Sequence, residues 1–289
     1  MLHNITGIDH ALIGVENLEG AKETFQKLGF TLTPRGSHIG WGTANYCIMF
    51  GNDYIELLGI VDPAKETNGL DRTLETRGEG LLGLALGSDN PEVTHKSLEV
   101  AGLSPSGLLE LKRKLELPEG DVLPEFKLIR LNASAGLQEK HLFICHHLTP
   151  ELVRGEPAWE VHDNGAERIA SFVVIVEDPG ALLDYYRQLC GFINVTLTDN
   201  TLTVNLGGGN LIFVNDRDID LLYPGLTVDT GEGFPHLFAM TIGVRNLVET
   251  GRYLERAGYK TLRISNGSIR LDPSEACGVL LEFSDRAAS

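Results

Sequence analysis

Four times in this chain a short apolar run ends at an Asx residue, an amphipathic segment follows, and a glycine with an apolar neighbour closes it. The segments open at Asn17, Asn90, Asp178 and Asn246 and close at Gly29, Gly102, Gly191 and Gly258. From Asx to Gly the separations are 12, 12, 13 and 12 residues. A repeat at so constant a spacing restricts the fold more than any other feature of the sequence. Each Asx can cap a helix by accepting a bond from an otherwise orphan N–H of the first turn. Pro179 stands where a helix tolerates proline, and Glu249 follows Asn246 at capping-box spacing. Leu18, Ala21, Phe25 and Leu28, like Leu182, Tyr185, Tyr186 and Leu189, recur with helical period. The closing glycine can take the left-handed conformation that ends a helix. Four helices of about three turns, each preceded by a strand, are predicted.

Three strand-like segments follow each helix. They cover 30–34, 41–50 and 53–60 in the first copy, and 193–197, 202–206 and 211–215 in the third. In the fourth they cover 260–264, 267–271 and 278–283. The second copy is less regular: 109–120 mixes charges with leucines, and 126–133 and 140–147 read as its later strands. Gly207, Gly208 and Gly209 resemble a phosphate loop, but they join two strands and no helix follows, so a hairpin turn is expected. The unit is βαβββ, four times over, in an α+β chain. Periodicity breaks between Thr149 and Arg168, at Pro150, Pro157, Asn164 and Gly165. Two domains of two modules each are therefore expected, 1–155 and 166–289.

A chain of 289 residues can bury a sizeable core. Its 24 basic and 40 acidic residues give a net charge of −16, which argues against nucleic acid or an anionic membrane as partner. Cys47, Cys145, Cys190 and Cys277 are widely separated, as in a reducing compartment. The first residues lack a basic segment ahead of an apolar one, and no apolar run reaches 18 residues. A cytoplasmic protein is expected.

Four βαβββ modules resemble the vicinal oxygen chelate superfamily, which includes glyoxalase I, extradiol dioxygenases and bleomycin-resistance proteins. Within it the chain looks most like the glyoxalase-like domain proteins. Three segments carry the likeness: Gly7 to His10, His38 to Asn45 ahead of Tyr54 to Leu58, and His146 to Glu151 followed by Trp159 to Ala166. The resemblance implies two curved mixed sheets, each a half-open barrel with helices packed outside, cupping a metal or a ligand.

In metal-binding relatives a His of the first strand and a Glu of the last strand of a module are ligands, and His10 and Glu56 stand at those positions. The pair suits one divalent metal, Zn, Mn, Fe or Ni, with open positions for two substrate oxygens. Otherwise His10 is a core histidine and Glu56 pairs with a base such as Arg35. Gly83 occupies the position of His10 in the second module and offers no ligand. If Leu142, Ile144 and His146 share the inner face, His146 becomes the third ligand, while Cys145 and His147 point away. Alternatively the His pair ends a strand in solvent. Trp41 and Asn45 either contact a ligand or form a bulged strand with a core tryptophan. His162 and Asn164, near Trp159, either fold back as a substrate-contacting lid or form an ordinary loop.

In the second half Ser171 and Ala239 stand where His10 does, leaving Glu282 without an imidazole. That half is expected to support the first, cover its edges, or mediate a homodimer contact. The resemblance implies a metal-dependent lyase, isomerase or dioxygenase acting on a small oxygenated metabolite. For proton transfer next to a carbonyl, Glu56 or the neighbouring His38 is the base. The alternative is a non-catalytic protein that sequesters a small compound in the same cup, as resistance proteins do.

Overall fold

The structure is a computed structural model and describes residues 1–137, 141–224, 226, 235–264 and 266–286. In chain order the first half runs β1 (Ile5–Val15), α1 (Leu18–Lys27), β2 (Gly36–His38), β3 (Thr43–Met49), β4 (Tyr54–Ile60), α2 (Leu70–Arg77), β5 (Gly80–Ser88) and α3 (Pro91–Val100). It continues with β6 (Leu109–Leu115), β7 (Glu125–Arg130) and β8 (Leu142–His147), and α4 (Pro150–Val153) opens the connection to the second half. There follow β9 (Ala166–Ile175), α5 (Leu183–Cys190), β10 (Val195–Thr198), β11 (Thr201–Asn205), β12 (Asn210–Val214) and α6 (Ile219–Leu222). The chain ends with β13 (His236–Val244), α7 (Leu247–Arg256), β14 (Leu262–Arg263), β15 (Ile269–Arg270) and β16 (Leu280–Ser284).

The repeated phrase folds as its chemistry requires. Asn17, Asn90 and Asn246 accept from first-turn N–H groups of α1, α3 and α7, at 3.0 Å from Gly20, Val93 and Val248 respectively. Asp178 caps a short 3-10 turn that runs into α5, accepting from Gly180 at 2.9 Å. All four closing glycines have positive φ, between 75° and 93°, where a side chain would be strained.

Among the described residues the strands form two mixed sheets. The first closes into a barrel in the order β1-β4-β3-β2-β6-β7-β8-β5, and the second is an eight-stranded open sheet in the order β10-β11-β12-β9-β13-β16-β15-β14. In each, the first strand of one module pairs antiparallel with that of the next, β1 with β5 and β9 with β13. The expected half-open first cup is therefore closed. The strand expected over 30–34 begins instead at Gly36, because Pro34 has no N–H to continue a ladder. The irregular 109–120 segment supplies β6, and of the strand expected over 140–147, Lys140 lies outside the described residues.

Alternation sorts the barrel residues. Ala11, Ile13, Ile48, Ile55 and Leu57 point outward into a large apolar cluster with Leu18 and Phe25 of α1, and this cluster continues through both halves. Cys47, Met49, Tyr54, Phe126, Phe143 and Cys145 form a separate interior cluster. In the open sheet the inner face is filled: Val173, Ile175, Val214, Ala239 and Leu280 pack against Ile219 and Tyr223 from the segment after β12.

Candidate active site in the barrel

A cavity of about 360 Å³ lies inside the barrel. Leu12, Leu58, Leu111, Phe126 and Phe143 make much of its wall, and Trp41 stands at its edge beside His38, the two rings 5.5 Å apart. Thr67, Leu70 and Thr73, from the connection that contains α2, also line it. That connection had no place in the fourfold pattern. It is seated on β3 by Gly42, whose N–H donates to Glu66 O at 2.8 Å and whose carbonyl accepts from Val61 and Asp62.

Glu56 is the polar centre. It points inward from β4, and Asn45 Nδ2 donates to its Oε1 at 2.7 Å. Asn45 reaches it from β3, and Gly36 opposite leaves space for the amide, since a Cβ there would meet Asn45 Oδ1 at 2.1 Å. His10 Nε2 lies 3.9 Å from Glu56 Oε2, and His38 Nε2 lies 3.9 Å from Oε1. One carboxylate thus faces two imidazoles, one at each oxygen. Arg35, a sequence candidate for pairing with Glu56, instead binds Glu116 at 3.2 Å. Burial lowers the pKa of His38, helped by Arg113 and opposed by Glu56 and by Thr43, whose Oγ1 is 3.0 Å from Nδ1. The ring is therefore neutral at pH 7.

Below this level a second network holds His10. Asp9 Oδ2 accepts from His10 Nδ1 at 2.6 Å, and the same carboxylate accepts from His147 Nε2 at 3.1 Å. A register shift between Ile8 and His10 in the β1·β5 ladder turns both Asp9 and His10 inward, as a bulge does. Burial alone would raise the Asp9 pKa, but His147 and His10 hold it below the usual carboxylate range. His10 also stacks on Tyr54, with ring centroids 4.5 Å apart. Cys145 stays a thiol, its pKa pushed well up by burial.

Three sequence expectations are corrected by these positions. His146 faces out of the barrel, with Nδ1 donating to Ser88 O at 2.7 Å, while His147 faces in. The alternation was set one residue out of phase: Phe143 and Cys145 belong to the interior, Leu142 and Ile144 to the outer cluster. His162 and Asn164 do not line the cavity. His162 Nδ1 accepts from Thr31 N–H at 3.0 Å and Nε2 donates to Met49 O at 2.8 Å, while Asn164 Nδ2 donates to Leu28 O at 2.9 Å. Both tie the connection to the barrel wall. In the β1·β5 ladder His10 pairs with Ala85 and Leu12 with Gly83, so β5 supplies no ligand beside it.

The sequence reading missed Asp9, His147 and Arg113. Arg113 had a signal: Leu109, Leu111, Arg113 and Leu115 alternate, which puts an arginine on an apolar face. It is 4% exposed.

Two donor arrangements could receive a divalent metal. Asp9, His10 and Cys145 have ligand atoms within 4.8 Å of one another. Asp9 is already committed to two imidazoles, so an ion there would have to break that network. His10 Nε2 with Glu56 is the better fit. The bond to Asp9 engages Nδ1 and leaves Nε2 as the nitrogen directed toward Glu56, the orientation a ligating histidine needs. The observed 3.9 Å is wider than the roughly 3.4 Å that two bonds of about 2.1 Å span at a tetrahedral angle, so an ion bound there would draw the two groups together.

In the second half Glu282 is held in a different pairing. Its Oε1 accepts from Arg270 Nε at 2.8 Å in a buried ion pair, and the guanidinium lies over Tyr223 at 4.6 Å.

Two mixed sheets built from paired βαβββ modules, one of them closed as a barrel, with helices outside, have the vicinal oxygen chelate fold. The chain matches the glyoxalase-like domain family over residues 8–190 and belongs to that family. No curated relative matches the sequence. Among solved structures, a hypothetical protein from Staphylococcus aureus is similar with a TM-score of 0.66 at 11% identity, covering 96% of this chain and 98% of that one. A triple mutant of 4-hydroxymandelate synthase from Streptomyces coelicolor gives 0.61 at 15% identity, covering 99% and 95%. A fusion of a xylose isomerase-like TIM barrel with 4-hydroxyphenylpyruvate dioxygenase gives 0.55 at 15%, covering 99% of this chain and 50% of the fusion. At these identities the likeness shows the fold alone. Among the described residues no helix is long and apolar enough to cross a membrane.

Proposed function

We propose that the barrel is the active site of a metal-dependent enzyme acting on a small oxygenated molecule. The observation that supports this best is Glu56, fixed by Asn45 with an imidazole near each oxygen inside a cavity much of whose wall is apolar. His10 Nε2 and Glu56 would hold a divalent ion, with remaining positions left to water and substrate. Such an ion would polarise a substrate oxygen as a Lewis acid. The chain's own residues do the rest. Asp9 keeps His10 in one tautomer, and Asn45 fixes the Glu56 carboxylate. His38, neutral and with Nε2 toward Glu56, can take a proton from a carbon next to a substrate carbonyl. The leucine and aromatic walls exclude water and hold the apolar part of the molecule.

Metal content per chain tests the proposal, using protein purified without an immobilised-metal column and then equilibrated with Zn, Mn, Ni or anaerobic Fe(II). Wild type should hold about one ion. His10→Ala and Glu56→Gln should lose it while keeping cooperative melting. Wild-type protein that folds well and holds none of these metals overturns the reading.

A second reading has its own support. Arg113 brings a permanent cation whose charge acts on Glu56, and Gly83 in the facing strand has no side chain. Both suit a metal-free cup that binds a small compound without transforming it. Tight ligand binding by fully metal-free protein, without turnover, would favour it.

A further inference from the structure

Arg113 is the least explained group in the cavity. It enters from β6, lines the cavity and is almost wholly buried. A buried arginine is expected to have a carboxylate beside it, because a desolvated charge without a partner is costly. Among the described residues no carboxylate lies within ion-pair distance of this one, and Glu56 of the same cavity acts on it only at longer range. Its Nη1 donates to Cys47 Sγ at 3.2 Å, its Nε is buried without an acceptor, and its guanidinium stands 5.7 Å from the Phe126 ring centre. The Cys47 thiol is a weak acceptor, and burial pushes its pKa up, so it does not neutralise the charge. Elsewhere the chain treats buried arginine differently. Arg270, at the inner face of the open sheet, is matched by Glu282 at 2.8 Å.

We propose that Arg113 is the anchor for a carboxylate on the substrate, and that the barrel takes a small monocarboxylic acid whose remaining body is apolar. This rests on reading the cavity as a small-molecule site and adds the chemical class of the occupant. A guanidinium supplies planar N–H donors matched to a carboxylate, and in an apolar enclosure such bonds are stronger than in water. Leu12, Leu111, Leu128 and Phe143, also in the wall, offer apolar contact for the body of the acid. About 360 Å³ sets its size at that of a small aliphatic or arylalkyl acid. Arg130 is the other arginine lining the cavity and is partly exposed, so water already screens its charge.

The test is calorimetric binding of matched pairs: aliphatic and arylalkyl carboxylates of four to ten carbons, each with its primary amide. It is run on metal-loaded and on chelator-stripped protein. The acids should bind about 10- to 100-fold more tightly than their amides, the range of a charge-assisted hydrogen bond. The preference should persist in stripped protein. Arg113→Met should abolish it, because the acids lose far more affinity than their amides, and Arg130→Met should leave it intact. If Arg113→Met fails to fold, Arg113→Lys keeps the charge and should retain a reduced preference. Acids that bind no better than their amides overturn the proposal, as does a preference that vanishes with the metal or with Arg130. The metal-content result does not enter this comparison, so the metal reading can fail while the carboxylate proposal stands.

Discussion

Glu56 shows how few groups decide what the barrel can do. One carboxylate is held by the Asn45 amide at 2.7 Å and faces His10 and His38 at 3.9 Å each. All four were visible in the sequence, because a His in the first strand, a His–Asn segment across the second and third and a Glu in the last stand out among apolar residues. Asp9 was not. In a regular strand it would point away from the interior, and only the bulge beside it turns it in. Its carboxylate accepts from His10 Nδ1 at 2.6 Å. Under the metal reading, Asp9→Asn should weaken metal binding by about 10- to 100-fold, as loss of a carboxylate behind a ligating histidine does. The amide can still accept from His10 but brings no charge to support the ring. Competition against a chelator of known affinity measures the change, and unchanged affinity would mean that His10 is not a ligand.

At the level of elements, capping and closing signals located every repeated helix because those signals are local and chemical. Facing is harder to read, because a strand buried on both sides lacks clean alternation. In β8 Leu142, Phe143, Ile144 and Cys145 are all buried, so nothing in that run says which half faces the cup. His146 and His147 then exchange roles with a one-residue slip. The α2 connection was also missed, since it interrupts the module pattern. It depends on Gly42: a Cβ at that position would lie 2.0 Å from Asp62 O, which is main chain and cannot swing aside. Gly42→Ala should therefore displace the segment that carries Thr67 and Leu70 over the cavity. The expected cost is about 1–3 kcal/mol of stability, together with weakened small-molecule binding. Chemical denaturation and calorimetry read the two effects. A variant with wild-type stability and affinity would show that the connection does not depend on this seat.

At the scale of the whole molecule, the two halves share the large apolar cluster, and a few buried polar groups fix how they meet. Asp53, just before β4, is one of them: its Oδ1 accepts from Ile169 N–H of β9 at 2.9 Å. Burial raises its pKa to about 7, Asp9 adds to the rise, and Ile169, Arg154 and Arg168 oppose it. The sign of the consequence follows from linkage. A carboxyl with a raised folded-state pKa binds its proton more tightly folded than unfolded. Its contribution to stability is therefore complete below the unfolded value of 3.8 and is lost as pH rises through about 7. A shift of that size corresponds to roughly 4 kcal/mol at most. Asp53→Asn keeps an oxygen for Ile169 and cannot ionise, so it should remove this part of the pH dependence. The difference in unfolding free energy, variant minus wild type, should rise steadily from pH 4 to pH 7 and level off above it. Taking that difference cancels other groups that titrate over the same range, histidines included. Parallel curves for the two proteins would show that Asp53 ionises freely at the junction, and that the halves are joined by apolar packing without a buried carboxylic acid between them.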